Sequence, residues 1–218
     1  MIPLSLTTER IALEDGSTAY PYLWRGEIVA VKDNAANVLA IIELYNDETT
    51  DADLKGEQII IRLFADPNDA FCICDYDHAE FGRLIEAVTW DICGVDTGSR
   101  TTDKPLWDVN EDAPSIRTSL RMAYGIEWDT ACGVIPFAEF IALIGGLPYE
   151  TPLGAAMHYR NKANRPKPNK HNRRQVAEFD RLHRAFALKQ KSTGSHDRIR
   201  ATNSAMDDLA LALVRKAG

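Results

Sequence analysis

"SIRTSLRMAYGIEWD", Ser115 to Asp129, is the stretch of this 218-residue chain from which the rest can be read. Ile116, Leu120 and Tyr124 recur at every fourth position and so share one face of a helix. Pro114 stands near the first turn, where the N–H that proline lacks would have no partner anyway. Gly125 predicts a stop in the left-handed region, with Ile126 where a Schellman cap sets its apolar contact. The result is a helix with a defined end that carries no nucleophile, metal ligand or phosphate loop.

The same signals continue on the C-terminal side. Pro136 opens a helix whose apolar face is Phe137, Phe140, Ile141 and Ile144, and Gly145-Gly146 closes it. Thr151-Pro152 is a cap followed by proline at the first helical position, and that short helix runs toward Arg160. "NKANRPKPNKHNRR", Asn161 to Arg174, is a basic connector broken by prolines. Val176, Phe179, Leu182 and Phe186 mark a helix beyond it. Met206, Leu209, Ala210, Leu213 and Val214 mark a last one, with Arg215-Lys216 where the helix dipole favours cations.

On the N-terminal side, Glu9 to Trp24 predicts a hairpin turning on Asp15-Gly16 as a two-residue type I′ turn. Ile11 and Leu13 line one side, and Tyr20, Tyr22 and Trp24 the other. Asp33 or Asn34 caps a helix carrying Val38, Leu39, Ile41, Ile42 and Tyr45. A second helix carries Leu54, Ile59, Leu63 and Phe64 and stops near Pro67. Asp75 or Asp77 opens a third, with Phe81, Leu84, Ile85, Val88 and Ile92, closed by Gly94. "VDTGSRTTDKPLWDVNED", Val95 to Asp112, reads as a mobile polar linker. The pattern predicts a mainly α protein: a bundle-like helical domain with a small N-terminal hairpin over 1–160, and a basic arm with two helices over 161–218.

Composition narrows the chemistry. The apolar fraction of 45% supports a core, no apolar run nears the roughly 18 residues of a membrane span, and the first ten residues lack a signal-peptide pattern. "FCICD" raises a metal reading with Cys72, Cys74, His78 and Cys93 as ligands, but Cys-x-Cys is tighter than structural zinc sites favour. Buried thiols on a short extended segment, Phe71 to Cys74, fit instead. His158, His171, His183 and His196 fall in the basic region and read as solvated. Nucleotide-binding glycine loops, a GxSxG elbow and an HExxH helix are all missing from the sequence. A non-enzyme without cofactor or metal is expected.

The charge is divided unevenly. Up to Met157 there are 10 Lys and Arg against 27 Asp and Glu, a balance of −17; from His158 onward there are 15 against 5, a balance of +10. An acidic body with a basic arm suggests two surfaces for two partners, unless the arm folds back onto its own body. Arg160, Lys162, Arg165, Lys167, Lys170, Arg173 and Arg174 are the candidate partner-binding residues. Their stretch has no interleaved aromatics for base stacking, and the chain is acidic overall, which argues for a protein partner over nucleic acid.

"DAPSIRTSLRMAYGIEWD" followed by "IPFAEFIALIGGLPYETPLGAAMHYRNK" resembles the signature of the bacteriophage "gp fifteen" type, a tail assembly chaperone family of long-tailed phages. Its places are filled here by Asp112, Ile116, Tyr124, Gly125, Ile126, Phe137, Phe140, Leu143, Gly146, Leu147, Pro148, Thr151, Tyr159 and Arg160. "IALEDGSTAYPY" is similar to the family's opening hairpin. The resemblance implies a scaffold without an active site. It also implies an escort that covers the apolar helix faces of the tape measure protein while tail tube protein polymerises around it, with self-association open. The place implied is the host cell cytoplasm, not the mature virion. A structural tail or virion component, and a phage protein binding a host factor or nucleic acid through the basic arm, are the alternatives.

Overall fold

The computed structural model describes residues 8–47, 49–93 and 106–189. The expected stop at Gly94, most of the linker after it, His196 and the helix read over 203–218 lie outside these residues. Among the described residues there are nine α-helices, one short 3-10 turn and one three-stranded antiparallel sheet, so the protein is mainly α. Two compact units form, both discontinuous in sequence: 8–93 with 132–140, and 106–131 with 141–189.

The first unit opens with β1 (Ile11–Ala12), β2 (Thr18–Trp24) and β3 (Glu27–Val31), ordered β1-β2-β3. The expected β1–β2 hairpin is present, but its turn is not type I′. The Leu13 N–H donates to the Ser17 carbonyl and the Gly16 N–H to that of Leu13. Within that loop Gly16 alone, at φ 81°, is left-handed. This is the three-residue loop closed by a glycine bulge. A two-residue turn with the I′ signs lies one strand later, where Arg25 (φ 53°) and Gly26 (φ 93°) join Trp24 to Glu27. β3 itself has no alternation to read. Val29 and Val31 are buried, but the outward Ile28 is apolar too and pairs with outward Leu23, the two being 58% and 68% exposed.

Helix α1 (Ala35–Asn46) is capped by Asn34, whose Oδ1 accepts from the Asn37 N–H at 3.0 Å. Its other two free donors, the Ala35 and Ala36 N–H groups, go to the carbonyls of Ile135 (2.8 Å) and Cys132 (2.9 Å). The first turn is thereby satisfied by a segment a hundred residues away. Asp33 does not cap the helix. It pairs bidentately with Arg10, and its carbonyl accepts from the Phe137 N–H at 2.7 Å. The core is built from Val38 and Ile41 of α1, Ile59 and Leu63 of α2 (Ala52–Leu63), Leu84, Val88 and Ile92 of α4 (His78–Cys93), and Phe64. Each such side chain contributes about 1.5–3 kcal/mol when fully buried.

Between them lies α3 (Pro67–Ile73), where the sequence pattern predicts extended chain up to Cys74. Asp66 caps it by accepting from the Asn68 and Asp69 N–H groups, with Pro67 in the first turn. Only one of its two thiols joins the core. Cys74 is buried, and that burial pushes its thiol up to about 11, whereas Cys72 is exposed. Asp77, not Asp75, caps α4.

The second unit contains α5 (Ala113–Tyr124), α6 (Trp128–Ala131), the C-terminal half of α7 (Phe137–Gly145), α8 (Pro152–Arg160), the 3-10 turn Lys162–Asn164 and α9 (Arg173–Ala185). α9, which the sequence pattern assigns to the arm beginning at 161, packs on α8 here.

Candidate functional site

The signature residues of the second unit convert into a set of fixed contacts. α5 ends at Gly125, φ 67°, as its sequence requires. The Gly125 N–H reaches the Arg121 carbonyl at 3.0 Å, the bond of the simpler left-handed cap rather than of a Schellman pair, and the Ile126 N–H reaches the Leu120 carbonyl at 3.3 Å. The Tyr124 hydroxyl donates to the Leu143 carbonyl at 3.1 Å. In the middle of α5, buried Ser119 accepts through Oγ from the Leu153 N–H at 2.9 Å, satisfying a free donor in the first turn of α8. Thr151 caps that same turn through the Gly154 N–H.

The two ends of the signature meet. Arg160, the last residue of α8, donates from Nη1 and Nη2 to the two carboxylate oxygens of Asp112 at 2.5 and 2.8 Å. Its Nε reaches the Phe186 carbonyl at 2.6 Å, and Nη1 also reaches the Leu106 carbonyl at 3.0 Å. Both side chains are about nine-tenths buried, at 10% and 7% exposure. Asp112 precedes α5 in the cap position but makes no side-chain cap bond; its carboxylate goes to Arg160 and to the Asp108 N–H. One guanidinium thus ties the chain before α5, the end of α8 and the end of α9 together.

Around this pin lies an aromatic cluster. The ring of Tyr159 stacks on Phe186 with centroids 5.8 Å apart and planes 2° apart, and leans on Phe179 at 5.4 Å. Its hydroxyl lies 2.7 Å from that of Tyr149, a bond that, with burial second, holds the Tyr159 phenol above its usual pKa. His158 packs edge-on against Tyr149 and Tyr159. His183 bonds through Nδ1 to the Tyr159 carbonyl at 2.7 Å. These two histidines are therefore packing residues, not the solvated groups their basic neighbourhood suggests; His171 is exposed. A cleft of about 400 Å³ opens beside the cluster, lined by His158, Tyr159, Asn164, Pro166, Arg174, Gln175, Glu178 and Phe179.

The seven candidate partner-binding residues separate into two groups. Arg160 is committed to Asp112, and Arg165 is held by Asp180 at 2.7 and 2.8 Å, which keeps that carboxyl below its usual range. Lys162, Lys167, Lys170, Arg173 and Arg174 are exposed and carry no ion pair among the described residues. Arg174 lies in the cleft wall near Glu178, whose carboxyl is held down first by its bond to Arg181. The aromatics that face this basic stretch, Tyr149, His158, Tyr159 and Phe179, are not legible as a group in the sequence. They precede or follow the basic stretch and join it only when α9 folds onto α8. The available signal is Phe179 in the α9 stripe together with the Tyr-Arg end of α8. Among the described residues no three His, Cys, Asp or Glu side chains converge as a metal site, and no helix is long and apolar enough to cross a membrane.

Comparison with known proteins returned no matching curated protein and no matching solved structure. The family model described as "Bacteriophage Gp15 protein" matches residues 24–188, running from the end of β2 through α9 and so including the Asp112–Arg160 pin and the cleft. The chain belongs to the bacteriophage Gp15 family.

Proposed function

We propose that this protein is a tail assembly chaperone, acting by binding rather than by catalysis, that escorts the tape measure protein in the host cytoplasm until tail tube protein displaces it. The family match over residues 24–188 is the observation that carries this reading. The geometry supports it in one respect: the signature residues Asp112, Tyr124, Gly125, Thr151 and Arg160 are consumed by internal contacts. They build a scaffold, so function falls to surfaces. A tape measure exposes long apolar helix faces that aggregate unless covered, and many modest interfaces along one chain accumulate affinity by multivalency.

The test is co-expression with overlapping tape measure fragments, measuring how much of each fragment stays in solution with the chain bound. Retention of several fragments is expected, with the chain absent from purified particles by mass spectrometry. Stoichiometric chain in the particles would make it a virion component instead. Fragments that precipitate equally with and without it would remove the escort role.

A further inference from the structure

We infer that the cleft between α8 and α9 is a docking site for an acidic–apolar protein segment: a short stretch in which one or two large apolar side chains are flanked by carboxylates. The inference rests on the chaperone reading only for the name of the partner, not for its chemistry.

Three observations converge on that occupant. The volume of about 400 Å³ falls within the range of ligand clefts, about 300–1,000 Å³. Tyr159 and Phe179 supply its apolar part, fixed in place by the stack on Phe186 and the hydroxyl bond to Tyr149, so little ordering is needed on binding. The cleft lining holds one cation, Arg174, and one acid, Glu178, but the stretch that supplies most of it is cationic. Between Asn161 and Lys189 there are nine Lys and Arg against two acids, and both acids, Glu178 and Asp180, are already paired with Arg181 and Arg165. Arg174 in the cleft wall has no ion pair of its own among the described residues, and Lys162 and Lys167 flank the lining residues Asn164 and Pro166 in sequence. An apolar floor within a stretch that carries surplus cations favours an apolar side chain with carboxylates beside it.

The same surface is a poor fit for single-stranded nucleic acid, which needs open aromatic faces on which bases stack. One face of Tyr159 is covered by Phe186, and Tyr149 and His158 meet their neighbours edge-on, so the rings are spent on one another.

Random twelve-residue peptides displayed on yeast and selected against the full chain provide the test. Enrichment of Leu, Phe or Trp flanked by Asp or Glu is expected, and binding of the winners should weaken roughly tenfold in Arg174→Glu, an exposed residue. Arg121→Glu, the same charge change at the far end of α5, should leave binding unchanged, and thermal melts show whether each variant is folded. The inference is overturned by selection of basic sequences or of none, by equal effects of the two variants, or by tighter binding of a fluorescein-labelled twelve-nucleotide oligo-dT. Tape measure fragments run in parallel keep the two claims apart. Selected peptides that bind while no fragment does retain the cleft and remove the escort. Fragments that bind without competing with the peptides retain the escort and take the cleft from it.

Discussion

A Cβ placed on Gly154 would lie 2.1 Å from the Pro148 carbonyl oxygen and 2.8 Å from Thr151 Oγ1, and both are held in place by the bonds of the turn. Gly125 has open space around its missing side chain, and there the demand is the left-handed backbone itself. The two glycines thus fail differently when replaced. Gly154→Ala should lower stability by about 1–3 kcal/mol through overpacking against a backbone that cannot retreat. Gly125→Val should cost about 1–2 kcal/mol through positive φ, with Gly125→Asn milder because asparagine tolerates that region. Thermal melts of the three variants decide this, and an alanine at 154 that changes nothing would mean the first turn of α8 is loose. Only Gly125 can be read in advance, since its apolar stripe stops there; the Pro148 contact depends on a turn whose path no local pattern reports. The thiols make a second prediction. At pH 8 a maleimide should label Cys72 in the folded protein and leave Cys74 unlabelled until denaturation. The Cys74 thiol is raised from its ordinary 9.0 to about 11, so the unfolded chain loses that proton first. The stabilisation from the buried thiol is therefore complete below pH 9 and declines as pH rises toward 11, which denaturant melts of wild type and Cys74→Ala across that interval would show.

At the level of elements, the Asp112–Arg160 pair is the contact on which the α5, α8 and α9 ends depend. Removing one partner of a buried pair leaves the other charge without compensation, at a cost of about 3–5 kcal/mol. Arg160→Ala and Asp112→Ala should each fall near that range, and the double replacement Asp112→Leu with Arg160→Met should cost clearly less than their sum. Strict additivity in chemical denaturation would mean that the two charges are stabilised separately. Sequence periodicity finds α1, α2, α4, α5, α7 and α9, because each buries a stripe against a neighbour, and the Thr151-Pro152 cap finds α8. It misses α3, although Asp66-Pro67 is the same cap-then-proline signal that opens α8 at Thr151-Pro152. There the alternation of Phe71, Cys72, Ile73 and Cys74 imitates a strand over four residues, a span too short to separate the two periods. β3 is hidden for the opposite reason, since apolar residues on both faces leave no alternation.

For the molecule as a whole, the place of α9 changes what a truncation means. Phe179 is buried and the Phe186 carbonyl holds Arg160, so a chain ending at Arg160 loses part of the second unit along with the cationic connector. Comparing chains ending at 160 and at 189 isolates residues 161–189. The shorter one should melt at a clearly lower temperature, and equal melting would show that α9 adds nothing to the unit. The basic connector is legible as charge and the helix as a stripe. The cleft is not, because it arises only when two stretches separated by prolines close on one another. The discontinuity of both units also bears on how the chain is made. α1 emerges from the ribosome about a hundred residues before the Ile135 and Cys132 carbonyls that complete its first turn. Asp112 likewise emerges 48 residues ahead of the arginine that neutralises it. Neither unit can finish during synthesis in the order its residues appear; each waits on sequence interleaved with the other. Each therefore depends on a long-range closure of the kind that slows folding.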